Sequence, residues 1–111
     1  MPLPDQHDSL EEWAAQQTEA VATYAEKIDA CITNAEWQTL NMVLASRQAY
    51  LTKLFSTPFP ESFNLRLKQL AESVLQQDSI FKSKVEAQKH IVAQLQMQIE
   101  QGRRAIKAYS Q

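Results

Sequence analysis

Residues 56–111 read STPFPESFNLRLKQLAESVLQQDSIFKSKVEAQKHIVAQLQMQIEQGRRAIKAYSQ. Two prolines stand at the start of this stretch and none follows them. Each proline disfavours helical backbone in the residue before it, so Ser56–Glu61 must be a turn. From Ser62 onward Leu67, Ala71, Val74, Phe81, Val85, Val92, Leu95, Ile99, Ile106 and Tyr109 share one heptad seam. Asp78, Gln88 and Gly102 fall in the same seam and weaken it. A helix of about 46 residues would be roughly 69 Å long. Either it overhangs the rest of the molecule or it breaks and folds back. Gly102 is the favoured breaking point, because glycine takes the left-handed cap conformation without steric cost. Gln77-Asp78-Ser79 is a weaker one.

Upstream of the prolines the same period recurs twice. Leu10, Ala14, Gln17, Val21, Tyr24, Ile28 and Cys31 alternate by four and three, and Trp13 and Ile32 widen the stripe. Ser9 and Glu12 have the spacing of a capping box, so this helix should span 9–32. Residues 1–8, with Pro2, Pro4 and His7, are expected to form a flexible arm. Asn34 is placed to cap a second helix over 35–55. Its seam is Trp37, Leu40, Leu44, Arg47, Leu51 and Leu54. Helices of similar length joined this tightly should pack antiparallel, with Trp37, Leu40 and Leu44 in the core. The stem of Arg47 can cover apolar surface while its head reaches water or a carboxylate.

The chain as a whole fits one helical domain. It has 111 residues and a single glycine, too few for hairpins or phosphate-cradling loops. Its abundant Gln, Ala, Glu, Lys and Leu favour helix. The fold expected is therefore an all-α antiparallel bundle. It has helices at 9–32, 35–55 and 62–101, and a short fourth helix or a continuation beyond. No apolar run approaches the ~20 residues that span a bilayer. No secretory signal is expected at the N-terminus. Cys31 is alone, which suits a reducing compartment and a cytoplasmic location.

Formal net charge is −2, but it is unevenly spread. Residues 1–36 hold eight acids against Lys27 alone, while 37–111 hold ten bases against five acids. Either the faces are ordinary solvated ones, or the asymmetry steers internal packing or a charged partner.

Little in the chain speaks for catalysis or cofactors. Glu86 and His90 share a helix face, as a solvated pair or, less naturally, as metal ligands. Asp78 could be proton-active, pair with Arg47 or Arg66, or mark a binding surface. There is no P-loop, dinucleotide fingerprint or zinc spacing. No enzyme, metal or cofactor is expected. The basic Arg103-Arg104-Lys107 group suits a helix C-terminus, and it lacks the aromatic interleaving of nucleic-acid surfaces. What remains is apolar surface in excess of what three helices can hide. It could accept an amphipathic helix or make a homodimer.

Several residues together resemble a known family. They are Trp37, Leu40, Leu44, Arg47, Tyr50 and Leu51 on the second helix, then Leu67 and Leu70, then Val74, Leu75, Asp78 and Ile80. Lys107-Ala108-Tyr109 closes the pattern. In this order, around the proline break, they resemble the flagellar FliT family over roughly residues 9–110. The resemblance implies a cytoplasmic export chaperone of the flagellar type III secretion system. Such a protein binds the C-terminal helical part of the filament-cap protein. It also implies contacts with the export ATPase complex and, in some bacteria, with the flagellar transcriptional activator. In the family a C-terminal segment beyond the Ala-Tyr folds over the binding surface. Here only Ser110-Gln111 follow, so that regulation is expected only if 103–111 form a fourth helix. The partner-binding residues expected are Phe81, Val85, Val92, Leu95, Ile99 and Ile106. A homodimeric helical adaptor, or an antagonist of the transcriptional activator, is the alternative.

Overall fold

The computed structural model describes residues 7–109. Among them are three α-helices, α1 (His7–Thr33), α2 (Trp37–Ser56) and α3 (Asn64–Tyr109), and no strand. The expected all-α architecture is the one observed. Residues 1–6 of the expected arm lie outside the described residues, while His7 and Asp8 already belong to α1. Ser9 is therefore inside the first turn rather than at its cap.

The α1–α2 connection is not closed by Asn34. The Glu36 amide donates to the Cys31 carbonyl at 2.8 Å and the Ala35 amide to that of Ile32 at 3.1 Å. These are the two bonds of a Schellman ending, which needs a left-handed residue between them. Ala35 fills that role with φ 55°. An L-residue is strained in this region by about 1–2 kcal/mol, part of which glycine returns through its freer unfolded chain. Ala35→Gly is accordingly expected to stabilise the protein by about 0.5–1 kcal/mol. The check is a higher urea midpoint at unchanged m-value.

At the other end α2 stops where the prolines require. Thr57, before Pro58, is extended at φ −76° and ψ 132°. Its hydroxyl donates back to the Lys53 carbonyl at 2.6 Å, satisfying one orphan acceptor of the helix end. One turn of 3-10 helix at Glu61–Phe63 then leads into α3. This turn swings Phe59 and Phe63 onto Trp13 of α1, with ring centroids 5.0 and 4.8 Å from the indole.

The core has two apolar parts. Near the proline turn, Trp13 and Val21 pack with Leu51, Leu54, Phe63, Leu70 and Val74. Near the α1–α2 connection, Ile28, Cys31, Ile32 and Leu40 form the second part. A polar layer lies between. Tyr24 and Ser46 share a hydrogen bond of 3.2 Å. Arg47, buried at 5% exposure, donates to Asp78 at 2.6 Å and to Gln77 at 3.1 Å. The carboxylate that Arg47 meets is thus on α3. Among the alternatives open for Asp78, pairing with Arg47 is the one realised, while Arg66 pairs with Glu11.

Three contacts set the relation of α1 to α3. Arg66 meets Glu11, Lys84 meets Asp29, and the Gln88 side-chain amide donates to the Thr33 carbonyl, each across 55 positions. A constant offset means parallel helices in fixed register. Because α1 ends at Thr33, α3 outruns it after Gln88. Residues 89–109 project for roughly 30 Å, and the molecule measures 80 × 20 × 20 Å.

The break favoured at Gly102 does not occur. Gly102 is helical, its φ is not positive, and open space surrounds its Cα. A single interior glycine costs a helix only about 1 kcal/mol, which its neighbours' propensities absorb. Residues 103–109 continue α3, so no fourth helix forms among the described residues. The third helix runs 64–109, in place of the expected 62–101, and the second begins at Trp37 rather than 35.

Candidate functional site

Both α2 and α3 pack on α1, but they make little contact with each other. Near the proline turn the short loop and its aromatics hold all three together. Arg47 of α2 ties the middle of the bundle to Asp78 and Gln77 of α3. From there toward the α1–α2 connection no hydrogen bond or ion pair among the described residues joins α2 to α3, and a groove of about 420 Å³ opens between them. Its floor is Ile28 and Ile32 of α1, at 0% and 3% exposure. Leu40 and Leu44 form the α2 wall, and Phe81 and Val85 the α3 wall. Asp78, Lys82, Glu86 and Lys89 rim the α3 side.

Two of the six expected partner-binding residues, Phe81 and Val85, are thus half-buried in the groove. The Phe81 ring also stacks near the Arg47 guanidinium, 5.7 Å from its carbon. The other four lie past the end of α1. Val92, Leu95, Ile99 and Ile106 are 38%, 53%, 63% and 70% exposed. At spacings of three, four and seven they continue the Phe81–Val85 line along one face of α3. Ile99 and Ile106 flank a shallow hollow beside Gly102, Arg103 and Lys107. Groove and overhang therefore form one apolar strip.

The groove also contains residues that periodicity had assigned to the core. Leu44 was expected inside, yet it is 38% exposed and faces the opening. Leu40 is buried as expected, and Trp37 is half-buried against the second core cluster. Ile28, Ile32, Leu40 and Leu44 were not among the expected partner-binding residues. Their spacing places them on the inner faces of α1 and α2. It carries no signal that α2 and α3 part there.

The titratable groups offer little to chemistry. Among the described residues no three His, Cys, Asp or Glu converge on a point that could hold a metal ion. Cys31 is buried and unbridged, and His90 is exposed beyond the end of α1. The Tyr50 hydroxyl donates to Gln17 across the α1–α2 interface. Burial, and secondarily the nearby Tyr24, push its pKa above the usual 10.0. Arg103 and Arg104 reach back to Glu100 at 4.0 and 3.7 Å on their own helix. No helix among the described residues is long and apolar enough to cross a membrane.

No curated protein and no solved structure matches the chain. The family model described as "Flagellar protein FliT" does match, across residues 15–111. That span takes in α1 from its third turn, α2, the proline connection and all of α3, including the overhang. The protein therefore belongs to the flagellar FliT family, a family of flagellar export chaperones and not of enzymes.

Proposed function

We propose that the protein is a cytoplasmic chaperone for the flagellar filament-cap protein. It captures the C-terminal helical part of that subunit and delivers it to the type III export apparatus, where the export ATPase complex receives it. The observation that carries this reading is the apolar strip from the groove to Ile99. A strip with anchors at three- and four-residue spacing is suited to the apolar face of a second helix. Apolar surface that is continuous rather than scattered marks an interaction site. Capture there would shield an aggregation-prone segment of the cap subunit until export.

Titration calorimetry of the full chain against a C-terminal fragment of the filament-cap protein tests the proposal. One-to-one binding at micromolar affinity or tighter, with a negative heat-capacity change, is the expected result. The double substitution Val92→Asp and Leu95→Asp should weaken binding by at least ~100-fold, equivalent to about 2.7 kcal/mol. Both positions lie beyond α1, so circular dichroism should show the rest of the bundle intact. Absent binding by a chain that sediments as a stable dimer would overturn the proposal in favour of a homodimeric adaptor. Binding only to the flagellar transcriptional activator would overturn it in favour of an antagonist.

A further inference from the structure

Beside the apolar seam of α3 runs a second row of side chains. The seam positions Phe81, Gln88, Leu95 and Gly102 recur every seven residues, and Lys82, Lys89, Gln96 and Arg103 directly follow them. In a heptad pattern such flanking positions meet the partner helix at its edge and set partner choice. Here they hold three cations and no acid. Lys82 and Lys89 border the groove, and Arg103 borders the hollow next to Ile99.

The charge is not consumed internally. From residue 79 to 109 there are six bases and two acids. Lys84 is spent on Asp29 of α1, on the other flank of the seam, and Glu100 lies beside Arg103 and Arg104. Lys82 and Lys89 have no ion pair among the described residues; of the two acids on their rim, Asp78 is already paired with Arg47, which leaves Glu86. The opposite wall differs. From Trp37 to Ser46 α2 has no charged residue at all. The strip therefore has one cationic edge and one neutral edge.

A second copy of the chain is a poor occupant. Its own overhang carries the same cations, so pairing two overhangs would set like charge against like. Its acidic helix, α1, has already buried its apolar stripe at Trp13, Val21, Ile28 and Ile32. We propose that the occupant is a client helix with one acidic flank, its carboxylates spaced by about seven residues along Lys82, Lys89 and Arg103. Its other flank is uncharged and lies against α2. This rests on the chaperone reading and adds the chemistry by which the client is chosen and oriented. Charge pairs at an exposed rim add little affinity, but they fix register and speed encounter.

The test uses two synthetic 21-residue peptides with the same Leu/Ala apolar seam. One carries Glu and the other Lys at the flanking heptad positions. Both are titrated against the full chain at low salt and in 0.5 M NaCl. The Glu peptide is expected to bind at least ten-fold more tightly at low salt, with the gap closing to less than threefold at high salt. The triple variant Lys82→Glu, Lys89→Glu and Arg103→Glu should reverse the preference. Equal affinities, or a preference that the variant leaves unchanged, would overturn the inference. Failure of both peptides to bind would also overturn it, and the cap-fragment titration then decides separately whether helix capture stands.

Discussion

Phe63→Ala is expected to cost about 3–5 kcal/mol of stability, a large share of the 5–15 kcal/mol typical of a folded domain. Phe63 is 1% exposed, and among the described residues only Ile28 is as fully enclosed a large side chain. Its ring meets Trp13 edge-on at 4.8 Å and stacks on Phe59 at 5.2 Å with 15° between planes. Such aromatic pairs contribute beyond the area they bury. The position matters as much as the contacts. Phe63 closes the 3-10 turn after the prolines, so it sets where α3 begins relative to α1. The cavity left by alanine would loosen the aromatic cluster that holds the three helices at this end. Thermal unfolding should show a midpoint lowered by more than about 10 °C. Phe55→Ala is the control, since Phe55 is 43% exposed on α2, and it should cost under about 1 kcal/mol. Equal losses from the two substitutions would mean that the aromatic cluster does not fasten the bundle.

Phe63 also marks what the expected seam of α3 left out. Periodicity located all three helices, because Val21, Ile28, Leu40, Leu51 and Val74 each recur on a 3.6-residue face and each is buried. The proline turn was legible for a local reason, the backbone limits of Thr57 and Phe59. Phe63 stands four residues before Leu67 on the four-three-four line through Leu70 to Val74; the expected seam was drawn from Leu67 onward and left Phe63 out. Phe59 lies outside any periodic run, so nothing in its spacing marks it as core. Asn34 and Ala35 show the same limit at the other turn. Asparagine has the better cap chemistry, yet the chain closes through backbone bonds around Ala35, and only the placement of α2 decides between the two. Gly102 misleads because propensity is additive along a helix, and one poor residue among forty-six is outvoted.

The candidate site was legible in part for the same reason. Val92, Leu95 and Ile99 lie on one line with Phe81 and Val85, and a line is what periodicity reports. That the line outruns α1 follows from the 55-residue offset fixed by Arg66–Glu11 and Lys84–Asp29. Ion pairs between helices are choices among many acids and bases. Spacing does not select them. Leu44 was misplaced because a stripe facing inward looks identical whether its neighbour closes over it or stands apart.

The pair Arg47–Asp78 separates the cost of a buried charge from the worth of a salt bridge. Asp78→Ala is expected to destabilise the protein by about 1–3 kcal/mol. The loss strands the guanidinium, whose side chain is 6% exposed, whose Nε already has no partner, and which would retain Gln77 at 3.1 Å. The cost stays below that of a fully enclosed pair because Asp78 is 51% exposed and water can reach its place. Arg47→Met should behave differently. It keeps the stem that separates the two apolar clusters, removes the charge, and leaves Asp78 free to face solvent. Stability within about 1 kcal/mol of the parent, or above it, is the expected result. The double variant should match Arg47→Met alone, since the aspartate then has no buried cation to neutralise. Urea unfolding of the four proteins completes the cycle. If Arg47→Met proves as damaging as Asp78→Ala, the pair itself stabilises the fold. If it does not, the polar layer is retained for position. A slip of α2 by one turn against α3 would then bury Arg47 away from any carboxylate, and the charge keeps Leu40 and Leu44 opposite Phe81 and Val85 where the groove needs them.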